Sequence, residues 1–499
     1  MSSRPRWVAA ACGAAALAAG VVLLRAPSFG PSVIDWDESI YLLVSRELLR
    51  GHAPYTVIWD HKPPGLYALF AAFQLLFGQS IASARLGAAL AVTATCAVLF
   101  VCGKRLFGSS SVGALAAAAY AGQSALGGGL AANTEVLFAP FCTLGFLVLV
   151  TPETPRASRV LAAGLIFGLA AQVKYVAAFE LAGAFAGAAA VWSLAERRFL
   201  LSSTLRRGLL AAAGFLAPFA LAALAFLAAG RFPEYAHANF AANAAYVSGG
   251  RLSPAELFTA VADHARRNPC FWGGAILVPV AAVLSRRSGR PFGRPAWLVG
   301  AWLAGAASGV ASLGRIWDHY FLQLLPPLAL LGAAAAVEVA RGLAPSRERL
   351  AATATAAAGA TLLLGPPLLS SISALFSPPA EDAPRDVARF LTPRIAPGDT
   401  LYVADWEPIL HYLVDARIPT RFVLPDDLLD PAFARMAGVD RFGELERIFA
   451  LRPEWVVRRV WRLRDVPGAA DFYRALESNL EAGYRPEALI GDAIVYRRR

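Results

Sequence analysis

The chain has 499 residues, of which 57% are hydrophobic and only 16% are charged, with a formal net charge of +11. This balance excludes an ordinary soluble domain. Long runs rich in Ala, Leu, Val and Phe recur as far as residue 373, and each is close to the ~20 residues that cross a bilayer core. The sequence therefore predicts an all-α polytopic membrane protein.

The basic residues collect in short loops between the apolar runs. These loops are 4–6, 104–105, 156–159, 197–207, 286–294 and 341–349. Such a distribution is the positive-inside pattern, which sets the orientation of membrane helices. We therefore predict contact with membrane lipids and no nucleic-acid partner. The abundance of Ala, Gly and Arg indicates a bacterial source, and hence the bacterial cytoplasmic (inner) membrane.

About eleven transmembrane helices are predicted. They cover residues 7–24, 81–103, 111–130, 135–150, 159–177, 178–195, 208–229, 269–284, 296–313, 320–340 and 350–373. Segment 65–78 is apolar but too short to span, so we place it in the outer interface. Every basic loop then faces the cytoplasm, and loop 25–80 is extracytoplasmic.

The composition changes near residue 378, where a Pro-rich, charged stretch begins. Four strand-like runs follow, with helical segments such as 443–451 and 471–481 between them. The runs are 400–403, 421–424, 455–460 and 493–497. Strands alternating with helices predict a small α/β extracytoplasmic domain over 377–499, following a transmembrane module over 1–376. No catalytic spacing is evident there, which favours an accessory or substrate-guiding role.

The loop from Asp35 to Gly65 carries the densest polar chemistry beside an apolar segment. Ionisable groups at a membrane are costly unless function or pairing keeps them. Capping of the helix that follows explains one carboxylate among Asp35, Asp37 and Glu38. The others are candidates for catalysis, and Asp37 could serve as a general base.

Two cations are candidates for binding an anionic leaving group. Lys62 precedes two prolines that fix the backbone, so its ammonium is positioned to meet a phosphate. The alternative is a lysine that snorkels to lipid headgroups. Arg315, followed by His319 and Tyr320, forms a second cationic turn predicted on the same side.

The remaining candidates line the same predicted face. Glu135 opens a span as a second acidic residue, or begins that helix with Asn133 or Thr134 as its cap. The aromatic and amide-rich stretch 237–246, with Asn239 and Tyr246, suits contact with sugar or lipid. His61 and His319 could contribute to a metal site, but no tight ligand spacing exists. The sequence leaves open whether a divalent metal or any cofactor takes part.

Two other functional classes remain open. A lipid-linked glycan transporter or flippase would need ionisable groups near the bilayer midplane, for which Lys174, Glu180 and Glu338 are candidates. A non-catalytic scaffold would act through its C-terminal domain.

The first loop as a set resembles a known family. The matching residues are Asp37-Glu38, Gly51 with Pro54-Tyr55, Lys62-Pro63-Pro64, Leu76-Phe77-Gly78 and Ala84-Arg85-Leu86, and a later segment has His319-Tyr320-Phe321 with Pro326-Pro327. Together they resemble the GT-C fold glycosyltransferases, more narrowly the superfamily of protein O-mannosyltransferases and lipid A aminoarabinose transferases. The resemblance covers roughly residues 30–340.

This resemblance implies inverting transfer of a monosaccharide from a polyprenyl-phosphate donor to an extracytoplasmic lipid, glycan or protein acceptor. It implies that Asp37 is the base, with Glu38 beside it, and that Lys62 contacts the donor phosphate. Arg315 as a second phosphate contact and Glu135 as a second acidic residue are looser correspondences. Physical reasoning agrees, because cations stabilise the charge that develops on a phosphate leaving group.

Overall fold

The computed structural model describes residues 6–126, 128–150, 156–195, 201–250, 252–289, 292–377, 381–462 and 468–499. The chain divides into two compact units. Unit 1 comprises Met1–Ser28, Arg85–Ala222 and Leu252–Ser377, and unit 2 comprises Phe29–Ala84, Ala223–Arg251 and Pro378–Arg499. The predicted division at residue 377, and the separate role of the part that follows it, stay predictions.

Helices account for almost all of the structure before residue 377. In chain order they are α1 (Arg6–Leu24), α2 (Trp36–Leu49), α3 (Pro64–Phe77), α4 (Ile81–Leu106), α5 (Ser110–Gln123), α6 (Thr134–Val150), α7 (Ala157–Ala171), α8 (Ala177–Ala195), α9 (Leu201–Ala228), α10 (Phe232–Ala236), α11 (Ala242–Gly249), α12 (Pro254–Arg267), α13 (Pro269–Ile276), α14 (Val278–Ser288), α15 (Gly293–Ser312), α16 (Leu325–Leu343) and α17 (Glu348–Phe376).

Within the described ranges, 6 helical segments are long and apolar enough to cross a membrane. They are Ile81–Leu106, Ala177–Ala195, Leu201–Ala228, Pro269–Arg287, Asp318–Leu343 and Pro345–Phe376. Shorter apolar helices are Cys12–Leu24, Pro64–Phe77, Thr134–Val150 and Ala157–Ala171. The prediction of a helical, multi-pass membrane protein is confirmed. The run expected over 111–130 forms only the 14-residue α5, and the chain then turns through Gly128, whose φ is 81°.

Small residues allow the helices of unit 1 to approach closely. A Cβ built on Gly183 of α8 would lie 2.4 Å from the carbonyl oxygen of Ala301 in α15. One built on Gly305 would lie 2.3 Å from the carbonyl oxygen of Phe179. Side chains at these glycines would force α8 and α15 apart, which is how small residues bring membrane helices together.

In unit 2, α3 has the length predicted for the non-spanning segment. Its 14 residues rise about 21 Å, which is short of a bilayer core. Leu66, Tyr67 and Phe70 are buried along one face, whereas Leu75 and Leu76 are 72% and 69% exposed. The helix therefore has both a packed face and an apolar exposed end.

After residue 377 the chain forms the expected α/β structure. Its elements are α18 (Ala383–Leu391), β1 (Leu401–Val403), α19 (Leu410–Leu413), α20 (Asp426–Leu429), α21 (Pro431–Ala437), α22 (Arg441–Ala450), β2 (Trp455–Arg459), α23 (Ala469–Gly483), β3 (Tyr484–Ile490) and β4 (Ala493–Arg498). The sheet order is β1-β2-β4-β3. Strand β2 pairs parallel with β1 and antiparallel with β4, which pairs antiparallel with β3.

The sheet packs against a hydrophobic core, and it contains one strand that sequence reasoning missed. Val387 and Leu391 of α18 pack with Val403, Trp455 and Val495 in its core. The strand predicted over 421–424 is wrong, because that segment forms no strand. Strand β3, which carries a bulge beside Pro486, takes the fourth place.

Candidate active site

The carboxylates of Asp35 and Asp37 at the start of α2 make different contacts. Asp35 is the N-cap, because its Oδ1 accepts a hydrogen bond of 3.0 Å from the Asp37 backbone N–H. Capping is thus satisfied without the Asp37 side chain. The Asp37 carboxylate instead accepts a hydrogen bond of 2.8 Å from the hydroxyl of Tyr41, one helical turn later. Glu38 is buried, with 2% of its surface exposed.

Lys62 lies directly opposite that carboxylate. Its Nζ is 3.4 Å from Oδ2 of Asp37, with the two side chains 16% and 33% exposed. The backbone is held on both sides, since Pro63 and Pro64 begin α3, and the Tyr55 hydroxyl donates to the Lys62 carbonyl at 2.8 Å. Tyr55 itself has a φ of 73°, a conformation rare outside glycine. Such strain persists where the surroundings over-determine the backbone.

The charges around Lys62 keep it protonated. Burial alone would lower the pKa of its ammonium, but the carboxylates of Asp37 and Asp60 outweigh burial and raise it. Burial and the Asp37 charge raise the pKa of Asp60, although Lys62 opposes them. Asp427 of α20 has a pKa well above its usual value because of burial and the charges of Asp60 and Asp426. The charge of the Lys62 ammonium thus opposes the rise in pKa of both Asp60 and Asp427.

The aromatic and amide residues predicted for this site do meet in unit 2. The ring of His61 stacks on Tyr246 with centroids 5.4 Å apart. The Asn243 side chain donates to the His61 carbonyl at 2.8 Å. Oδ1 of Asn239 lies 3.4 Å from the Tyr55 hydroxyl. These contacts fix the chain on the N-terminal side of Lys62.

The C-terminal part of unit 2 holds the start of α2. Trp36 donates its indole N–H to Glu407 at 2.6 Å, and Arg459 donates to the same carboxylate at 2.8 Å. The backbone N–H of Ser32 donates to Asp382 at 2.8 Å. The residue immediately before Asp37 is therefore fixed by a charge-assisted hydrogen bond that it donates to a carboxylate of the α/β part.

Further contacts join α2 and the loop that follows it to the α/β part of unit 2. Arg46 of α2 donates to the carbonyls of His411 and Tyr412 at 3.0 and 3.2 Å. The Trp59 backbone N–H donates to the Arg421 carbonyl at 2.8 Å. The 421–424 segment thus pairs with this loop instead of joining the sheet, which is the physical reason for the wrong strand prediction.

The other predicted site residues belong to unit 1. Glu135 is buried at the start of α6 and forms an ion pair with Lys174, while the Thr134 hydroxyl donates to its Oε2 at 3.0 Å. The Lys174 ammonium lies 3.8 Å from the ring centroid of Tyr320, and Tyr320 packs edge-on to His319 at 4.8 Å. Glu135, His319 and Tyr320 therefore belong to one buried polar cluster of unit 1.

Sequence reasoning considered Lys174 only as a transporter residue and did not select Asp427 or Glu407. The signal that could have identified Lys174 as a partner for a buried acid is its position just after the short apolar helix α7. Arg315 is half-buried in the turn after Gly314, whose φ is 68°. Among the described residues, no group of three or more His, Cys, Asp or Glu could hold a metal ion.

Comparison with known proteins gives a family match over part of the chain and structural matches over nearly all of it. Residues 61–227 match the family described as dolichyl-phosphate-mannose-protein mannosyltransferase. The crystal structure of ArnT from Cupriavidus metallidurans bound to undecaprenyl phosphate superposes with a TM-score of 0.65 at 16% identity, covering 98% of this chain and 97% of that one. Its apo structure gives a TM-score of 0.62 at 16% identity, covering 98% of each chain. A search of curated protein sequences finds no significant match.

The structural likeness extends over nearly the whole chain, whereas the family match is limited to residues 61–227. Both agree with the resemblance expected from the residues of the first loop. The chain is thus a multi-pass membrane protein with the GT-C fold seen in ArnT, and its residues 61–227 match the model of a mannosyltransferase family.

Proposed function

We propose that this protein is an inverting glycosyltransferase of the bacterial inner membrane. It moves a monosaccharide from a polyprenyl-phosphate donor to an acceptor on the extracytoplasmic side. The observation that carries the proposal is the contact between Lys62 and Asp37, 3.4 Å apart on a rigidly held loop. A permanent cation beside a carboxylate supplies both groups that such a transfer needs. That ArnT has been crystallised with undecaprenyl phosphate supports a donor of the same chemical class.

In the proposed reaction, the acceptor oxygen attacks the anomeric carbon of the donor sugar. The bond from that carbon to the phosphate oxygen breaks, and its electron pair leaves with the phosphate. Asp37 takes the proton of the acceptor, as a general base. Lys62 stabilises the negative charge that develops on the leaving phosphate. Transfer is inverting because attack and departure occur on opposite faces of the sugar.

This chemistry requires the Lys62–Asp37 pair to separate when the donor binds. The donor phosphate is a diester with one negative charge, and a second develops on it as the sugar leaves, so it competes with Asp37 for the ammonium most strongly in the transition state. Lys62 then turns to the phosphate and Asp37 becomes available to the acceptor. Asp60, which stays beside Lys62, helps to keep the ammonium charged in both states.

The roles of the remaining candidates follow the same scheme. Glu38 adds negative charge at the start of α2, and Tyr55, His61, Asn239 and Tyr246 shape the cavity around the sugar. For Glu135, Arg315, His319 and Tyr320, the proposal keeps the sequence-based roles: a second acidic residue, a second phosphate contact and cavity contacts.

A panel of radiolabelled polyprenyl-phosphate monosaccharides tests the proposal. Purified protein should release sugar from at least one donor, and the product should have the anomeric configuration opposite to that of the donor. Retention of configuration would refute the inverting mechanism. No release from any donor, with or without membrane extract as the acceptor source, would refute the transferase.

The second candidate is a lipid-linked glycan transporter or flippase. Its support is Glu180, which is buried in α8 and accepts a hydrogen bond of 2.7 Å from the indole of Trp302 in α15. A transporter would move a fluorescent polyprenyl-phosphate sugar across vesicles, lose this activity in Glu180→Gln and retain it in Asp37→Asn. The transferase proposal expects no such dependence on Glu180.

A further inference from the structure

Unit 2 contains an open polar cleft apart from the Lys62–Asp37 contact. Its volume is about 660 Å³. One wall is formed by Thr56 and Val57, which precede the Lys62 motif in the same loop. The other walls come from segments 418–422 and 438–447 of the α/β part. The cleft therefore joins the candidate active-site loop to the C-terminal part of the chain.

Most of the charged side chains that line this cleft already have hydrogen-bond partners within the protein. Arg447 donates to both carboxylate oxygens of Glu444, at 2.8 Å from Nε and 2.5 Å from Nη2. The Thr420 hydroxyl donates to the same carboxylate at 2.5 Å. Asp440 caps α22 by accepting from the backbone N–H of Phe442 at 3.2 Å. These groups form the frame of the cleft and have little capacity left for a ligand.

Within the described segments of the chain, Arg421 forms no such hydrogen-bonded pair, although its charge helps to lower the pKa of the Glu444 carboxyl. Its guanidinium carbon lies 5.7 Å from the ring centroid of Trp59 and 5.0 Å from that of Phe422. Its carbonyl accepts the Trp59 backbone N–H at 2.8 Å. Across the part of the chain that the structure describes, its guanidinium donates no hydrogen bond. The side chain is therefore positioned by aromatic stacking, while its N–H donors remain available.

We propose that this cleft binds an anionic group of the acceptor, a phosphate or a carboxylate, through Arg421. The planar guanidinium matches such oxyanions in a bidentate arrangement. Stacking on Trp59 and Phe422 orders it beforehand, which lowers the entropy lost on binding. This inference rests on the proposed function, because it assigns the group to the acceptor of that transfer.

The position of the cleft suits an acceptor subsite. Trp59 lies three residues before Lys62, so the chain between them spans at most about 11 Å. Trp59 also packs on the ring of His237 at 5.2 Å, and His237 in turn contacts the carbonyl of Ala437 in the α/β part at 3.3 Å. An acceptor anchored at Arg421 is therefore held beside the same loop that carries Lys62.

Binding to the full-length protein in detergent tests the proposal by titration calorimetry. The probes are methyl glucuronoside, glucose 1-phosphate and the neutral methyl glucoside, so the first two distinguish a carboxylate from a phosphate. At least one anionic probe should bind wild type. In Arg421→Gln that binding should weaken about 10- to 100-fold, which corresponds to losing hydrogen bonds to a charged group, and Arg421→Lys should fall between the two.

Arg417→Gln is the matched control, since Arg417 is exposed on the same segment and does not line the cleft. It should bind like wild type. Equal binding by Arg421→Gln and wild type, equal binding of methyl glucoside, or no binding of any probe by wild type would each overturn the proposal. A melting scan of each variant establishes that the cleft is folded.

The same variants separate this proposal from the proposed function. Arg421→Gln should still release sugar from the polyprenyl-phosphate donor to water, because the donor groups Lys62 and Asp37 are unchanged. Asp37→Asn should bind the anionic probe normally and lose transfer. Loss of donor turnover in wild type with intact probe binding would refute the transferase alone.

Discussion

Replacing Lys62 is the most informative perturbation of the charge at the candidate site. At 3.4 Å, unit charges attract by ~5 kcal/mol at an effective dielectric of about 20, and the partial exposure of both side chains reduces that value. A donor phosphate in the place of Asp37 would gain a comparable attraction. Losing one such contact in a transition state costs about 3–4 kcal/mol, or ~100- to 1000-fold in rate.

We therefore expect kcat/KM for the polyprenyl-phosphate donor to fall about 100-fold or more in Lys62→Ala. In Lys62→Arg, which keeps the charge, it should fall by less than about 10-fold. Steady-state release of radiolabelled sugar measures both. Lys104→Ala is the control, because Lys104 is exposed near the end of α4. Equal rates in Lys62→Ala and Lys62→Arg would refute the role of the ammonium.

Three further predictions concern the groups around the site. Trp36→Phe removes a hydrogen bond to Glu407, at a cost of about 1.5–3 kcal/mol, and should slow transfer several-fold by releasing the start of α2. Lys174→Met leaves Glu135 buried without its cation and should destabilise the protein by about 3–5 kcal/mol in thermal unfolding, with Glu135→Gln restoring most of it. Asp427 has a raised pKa, so the folded state binds more protons than the unfolded state above about pH 4, and stability falls as pH rises. Asp427→Asn should therefore raise the melting temperature at pH 8 more than at pH 5.

Each of these has a control and an outcome that contradicts it. Trp297→Phe, at a tryptophan of unit 1 that is 61% exposed, should leave transfer unchanged, and equal rates for both tryptophan variants would contradict the positioning role of Trp36. If Glu135→Gln fails to rescue Lys174→Met, the ion pair is not the source of the loss. Asp471→Asn, at a carboxylate with 59% of its side chain exposed, should show no pH-dependent gain, and an equal gain there would contradict the burial argument for Asp427.

The sequence predicted much of this fold because membrane helices and rigid motifs leave local signals. Apolar runs near the span length located most membrane helices. The Lys62-Pro63-Pro64 motif predicted a fixed lysine, and the prolines do begin α3. The non-spanning placement of segment 65–78 was predicted from its length and from the side on which the basic loops would otherwise lie, and the 14-residue α3 has the short length expected.

The contacts that complete the candidate site could not be predicted in the same way. Lys174 meets Glu135 across 39 positions, and Trp36 meets Glu407 across 371. Such pairings depend on how the chain is folded in three dimensions and leave no local pattern. The 421–424 segment reads as a strand because of its β-branched and aromatic residues, yet its backbone pairs with Trp59. Tertiary contacts override local propensity there.

The most direct test of the central claim compares Asp37→Asn with Asp35→Asn on the donor that wild type uses. Both substitutions remove one carboxylate from the same turn, but Asp37 forms the ion pair with Lys62, whereas Asp35 caps α2. We predict that sugar transfer to the acceptor falls at least about 1000-fold in Asp37→Asn. In Asp35→Asn, where the amide still caps the helix, it should persist within about 10-fold of wild type. Transfer at the wild-type rate by Asp37→Asn would contradict the assignment of the base and, with it, the proposed mechanism.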